Sequence, residues 1–148
     1  MTDATGPIIT DDEINQFARM NAGAMPYLMT AFAKDSGRTP AEVAAFTGRT
    51  FAAGWEEMRG QGAMAIVRIM AINLASCGGA AGSLSGDGQR AEARVSGVPS
   101  EEMASFFGLS RDEVDQFLGS FGPIATHLGA RSEWRRDGEE IVLTVGAP

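Results

Sequence analysis

The chain has 148 residues, 44% hydrophobic and 21% charged, which is the mixture of a globular domain with a core of its own. Twelve basic against nineteen acidic residues leave a net charge of −7, and Lys34, His127 and Cys77 are the sole lysine, histidine and cysteine. These counts exclude an intrachain disulfide and a Cys/His zinc site, and Lys34, followed by Asp35 and preceded by no glycine, excludes a P-loop.

Residues 1–10 read as a flexible N-terminal segment, and 11–148 as one domain. Thr10–Glu13, Thr39–Glu42 and Ser110–Glu113 each fit a capping box, in which a hydroxyl acceptor is followed three residues later by a glutamate. Ser100-Glu101-Glu102 marks a fourth start. Helices are therefore expected at about 11–35, 40–59, 62–76, 100–107 and 111–128, with kinks at Pro26 and Pro123. On the second helix, about 100° per residue places Val43, Thr47, Thr50 and Gly54 in one stripe flanked by Phe46, Phe51 and Met58. A face with a small-sided centre either admits another helix closely or leaves room for a ligand. The third segment, Ala63–Leu74, is apolar on nearly every side, as in a central helix.

The glycine-rich run 78–88 leads through Gly86-Asp87-Gly88 into 89–98, a first hairpin whose second strand shows Ala91, Ala93, Val95 and Gly97 on one face. Asp137-Gly138 reads as the type I′ turn of a second hairpin. That register pairs Trp134 with Ile141 and Ser132 with Leu143, and sets Arg136 opposite Glu139 and Arg135 opposite Glu140. Helices, hairpin, helices, hairpin is an α+β order: N-terminal helices packed on an antiparallel sheet made of two hairpins separated by helices.

Several motifs fail on inspection. Gly82-Ser83-Leu84-Ser85-Gly86 has leucine where a nucleophile elbow needs serine, and Gly60-Gln61-Gly62 lacks both the preceding strand and the third glycine of a dinucleotide fingerprint. Asp112, Glu113 and Asp115 read as carboxylates favourably placed at a helix N-terminus. His127 lies about 120° from the buried stripe of the last helix and reads as a surface residue of its final turn, as a ligand contact or as a haem ligand. Arg68, inside the most apolar segment, must pair or reach water. Alternatively it anchors a carboxylate at the end of an apolar pocket, with Asn73 supplying neutral hydrogen bonds. Trp55, Phe51 and Met58, with Met25, Met29, Met64 and Met70, offer adaptable apolar walls or ordinary core filling. Net acidity argues against nucleic acid, and the absence of a polybasic patch or a long apolar run argues against a membrane. With no apolar leader, the expected setting is cytoplasmic, with Cys77 reduced.

The helical first half, a strand ending Gly97-Val98-Pro99, and the late helix Phe117-Leu118-Gly119-Ser120-Phe121-Gly122-Pro123 before a glycine-turn hairpin are the features of a known pattern. Over about residues 40–146 the chain resembles a superfamily that includes the bacterial 4-vinyl reductase domain, trafficking-complex subunits and haem-based nitric oxide sensors. It departs from the first in having no cysteine near the terminal strands. It departs from the sensors in that Tyr27 is followed by Leu28-Met29-Thr30-Ala31 rather than their Tyr-x-Ser-x-Arg. The resemblance implies a homodimer whose helices and sheet enclose an apolar small-molecule or acyl pocket. The expected function is thus binding of a hydrophobic small molecule, one that can bear an acid group, by Arg68, Asn73, Trp55, Phe51 and Met58. The alternatives are a small hydrolase, cyclase or isomerase using His127 as acid/base and Tyr27 as donor, and an interaction module docking a partner on a Met-rich face. No metal site is indicated, and the sequence does not name a cofactor.

Overall fold

The computed structural model describes residues 9–148. The expected flexible N-terminal segment lies outside the described residues up to residue 8, and Thr10 already serves as the N-cap of the first helix. Helix α1 (Asp11–Asp35) is followed by α2 (Pro40–Phe51), a 3₁₀ segment (Ala52–Met58), and α3 (Ala63–Ala75). Strands β1 (Ala80–Gly86) and β2 (Arg90–Ser96) form the first hairpin. Then come α4 (Glu101–Phe106), α5 (Arg111–Asp115), a second 3₁₀ segment (Gln116–Ser120) and α6 (Phe121–His127). Strands β3 (Arg131–Asp137) and β4 (Glu140–Gly146) close the chain. The two hairpins join through β2 and β4 into one antiparallel sheet of order β1-β2-β4-β3, and the fold is α+β.

All three capping boxes form. The threonine or serine hydroxyl takes the N3 amide and the glutamate reaches back to the cap amide in α1, α2 and α5. Two long expected helices are interrupted instead of continuous. Residues 40–59 divide into α2 and its 3₁₀ extension, and 111–128 into α5, a 3₁₀ segment and α6. Pro123 therefore sits in the first turn of a separate helix, where a missing N–H leaves no intrahelical bond unmade, and no kink is required of it. Helix α1 runs through Pro26 without ending, and the Thr30 hydroxyl donates to the Pro26 carbonyl at 2.7 Å.

The buried face of α2 is rotated from the expected stripe. Ala44, Thr47 and Gly48 point inward, whereas Phe46 and Phe51 are 62% and 60% exposed. The cause is close approach of the second 3₁₀ segment: a Cβ on Gly48 would lie 2.2 Å from the Ser120 carbonyl oxygen. Gly48 thus serves close packing, whereas within the expected stripe Thr50 is exposed, Gly54 has nothing within 4 Å of its Cβ position and Thr47 borders the groove described below. The small face of β2 does the same, since Ala91, Ala93 and Val95 share one core with Ile66, Val67, Met70 and Ala71 of α3.

The second hairpin keeps its expected faces but shifts register by two residues. Trp134 faces Leu143, Ser132 faces Val145, and the ladder closes at Asp137–Glu140. Gly138 (φ +63°) is then the first central turn residue, and Glu139, the second, has no positive φ. That is the requirement of a II′ turn, whereas the expected I′ turn would force Asp137 to positive φ. The anticipated Arg–Glu pairs are replaced. Arg135 and Arg136 stand opposite Val142 and Ile141, and Glu140 instead accepts from Arg94 at 2.9 Å. Arg94 also meets Asp137 at 3.0 Å, so the outer face of the sheet carries ion pairs above the buried Val142.

Arg136, on the inward face, finds its carboxylate in Asp115. The expected helix-N-terminus role for Asp115 is corrected here, because this residue ends α5 and is buried. A second, smaller core of Tyr27, Ala104, Leu109 and Val114 joins α1 to α4 and α5, with Tyr27 stacked on Phe107 at 5.9 Å between ring centroids.

Candidate binding groove

Local sequence sets the groove between helices. Pro26, with Met25 and Met29 on the adjoining turns, gives α1 an apolar flank. Thr47 and Phe51 face it from α2, and Trp55 from the 3₁₀ extension, where its ring packs edge-on against Phe121 with 6.3 Å between centroids. Asn73 and Cys77 close the end from α3 and its C-terminal turn, and Ser120 and Ile124 lie on the far wall. The space is about 340 Å³, near the lower bound of small-molecule pockets, which start at roughly 300 Å³. A separate small cavity of about 30 Å³ shares Pro26, Asn73 and Cys77 with the groove and is lined on its other side by Tyr27, Val98 and Pro99.

The chemistry of the lining is neutral. Among the described residues no Asp, Glu, Lys, Arg or His borders the groove. The polar residues of its lining are Thr47, Ser120, Asn73 and Cys77. Thr47 Oγ1 is buried and has no hydrogen-bond partner, a state that costs about 1–3 kcal/mol by mutational measures. Burial pushes the Cys77 thiol above its ordinary pKa, and its sulfur lies 3.7 Å from the Asn73 carbonyl oxygen. A thiol so held stays protonated at neutral pH and is a poor nucleophile.

The residues singled out from sequence divide into two groups. Phe51, Trp55 and Asn73 meet in the groove, and Tyr27 lines the small neighbouring cavity instead. Tyr27 is also committed structurally, its hydroxyl accepting the Ser100 amide at 2.7 Å. Arg68, Met58 and His127 lie elsewhere. Arg68 projects from the exposed side of α3, which resolves its burial problem by reaching water and leaves the groove without the expected carboxylate anchor. A helix apolar all round does not announce which side will face solvent. Met58 packs against the main core. His127 Nε2 lies 2.6 Å from Glu56 Oε2 at the surface, and Arg59 clasps the same carboxylate at 2.6 and 3.0 Å. The Arg59 hydrogen bond chiefly, with lesser help from His127, holds Glu56 down at about 2 against an opposing desolvation that outweighs the His127 hydrogen bond alone. His127 and Tyr27 are not brought together.

Two features escaped sequence reasoning. The Asp115–Arg136 pair was signalled by an arginine sharing the inward face with Trp134, since such a residue demands a buried carboxylate. The unpartnered Thr47 hydroxyl left no sequence signal. Among the described residues no group of three His, Cys, Asp or Glu is arranged to hold a metal, and no helix is long and apolar enough to cross a membrane.

Fold and groove together define an α+β domain with a neutral, apolar-walled recess between its helices. No protein-family model, curated protein or solved structure matches the chain.

Proposed function

We propose that the protein binds an uncharged, largely apolar small molecule in this groove. The observation that carries the reading is a recess of about 340 Å³ between the helices, walled by apolar side chains and bordered by no charged one among the described residues. Methionines at one flank suit a permissive fit. The acid-bearing ligand expected from Arg68 is set aside in favour of a neutral one, because no cationic side chain borders the space. A pocket for a small molecule is also what the resemblance to the 4-vinyl reductase superfamily implies. The single Cys77 suits a reducing, cytoplasmic setting.

The test is native against denaturing mass spectrometry of the purified chain, followed by titration of Trp55 fluorescence with linear alcohols, ketones and carboxylates of graded length in the wild type and in a Trp134→Phe background. The expected result is a neutral co-purifying molecule or saturable quenching by alcohols or ketones that persists when Trp134 is replaced. No added mass and no saturable response to any series would overturn the proposal.

A further inference from the structure

Helix α1 carries two faces. One, with Gly23, Tyr27 and Thr30, packs against the body. On the opposite side Ile14, Phe17, Asn21, Met25, Leu28 and Phe32 fall within about 80° of arc, and all six are exposed. Residues 11–22 of the helix are exposed all round, so three turns extend beyond the body with large apolar side chains in water. An isolated helix of this length is marginal without packing on a face.

The spacing of the outer stripe from Ile14 to Leu28 is three, four, four, three, and so reads the same from either end with Asn21 at its centre. Such a seam is self-complementary under a two-fold axis, the symmetry of most dimers. Two antiparallel copies would set Ile14 against the partner's Leu28 and Phe17 against the partner's Met25. The two Asn21 amides would meet at the axis, where each can donate and accept. A single polar asparagine in an apolar seam is a known device for fixing register. Phe32 extends the seam at one end, and with Ile9 and Met20 the apolar side chains offer on the order of 700 Å² per protomer, close to the roughly 800 Å² per partner of a stable interface.

We infer that this face of α1 binds a second copy of the chain, antiparallel, about a two-fold axis through Asn21. Met25 belongs to both seam and groove, so the partner helix stands beside the groove mouth. The inference rests on the seam alone and holds whether or not the groove takes a ligand.

Sedimentation equilibrium of the full chain at micromolar concentration should give twice the chain mass. Phe17→Glu and Leu28→Glu should each return it to a monomer with an unchanged melting transition of the body. In a Cys77→Ser background, Asn21→Cys should cross-link to a covalent dimer under mild oxidation, while Arg19→Cys, on another side of the helix, should not. A monomeric wild type overturns the inference. So does a dimer that survives both glutamates, or one that cross-links no better from position 21 than from position 19.

Discussion

Arg136 grips Asp115 with two parallel hydrogen bonds, Nε to Oδ2 and Nη2 to Oδ1, each 2.6 Å long. The carboxylate side chain is 4% exposed and the guanidinium 15%, and Nη2 also donates to the Pro99 carbonyl at 3.2 Å. One side chain of β3 thus ties the sheet to the end of α5 and to the loop after β2.

Breaking that pair leaves a buried charge without a counterpart. Asp115→Ala and Arg136→Ala should each destabilise the fold by about 3–5 kcal/mol. Urea denaturation followed by circular dichroism checks this, and a loss below about 1 kcal/mol, the scale of a surface pair, would show that the site is solvated instead.

Gly48→Ala should destabilise by about 1–3 kcal/mol, because the added methyl would meet the Ser120 carbonyl at 2.2 Å and the Pro123 ring at 3.0 Å. Gly54 has nothing within 4 Å of its Cβ position and no positive φ, so Gly54→Ala should be neutral or stabilising by up to about 1 kcal/mol. Thermal melts of the two variants should move in opposite directions, or the second should not move.

Thr47→Val replaces the orphaned hydroxyl with a methyl. The ligand-free protein should gain about 1 kcal/mol, since an unpaired buried donor is removed. Affinity for the neutral ligand should change by less than about tenfold, since the buried hydroxyl offers the groove no accessible hydrogen-bonding atom. Urea melts of the stripped protein beside ligand titration separate the two effects, and a variant that loses stability when empty would show the hydroxyl to be satisfied.

Glu56 should titrate near 2 by carboxyl-carbon NMR. A depressed folded-state pKa means that the charged form favours the native state above the ordinary carboxylate range, and that this contribution fades as pH falls through about 2. Arg59→Gln should carry the midpoint most of the way back to the usual value, and His127→Ala less, because Arg59 is the larger cause.

Much of the local structure was written in short stretches. Thr10, Thr39 and Ser110 start helices because each cap satisfies backbone donors with a partner three residues away, a matter decided without the rest of the chain. The faces of the second hairpin followed from alternation, and survived a register shift of two because the side-chain period of a strand is also two. The groove was only partly legible. Phe51, Trp55 and Asn73 were marked as binding residues and do meet there, but Arg68 and Met58 do not, since a helical wheel defines faces without saying which neighbour covers them.

What the sequence by itself determined, then, was where elements begin, which residues alternate, and that the chain builds an α+β domain. Those depend on hydrogen bonds and periodicities spanning a few residues. Only the tertiary structure decided that α2 turns Gly48 to Ser120, that Arg136 closes on Asp115, and that Thr47 is left alone beside an apolar recess. Each joins groups more than twenty residues apart or depends on how closely two elements can approach, and side-chain volume in contact sets that distance, not local propensity.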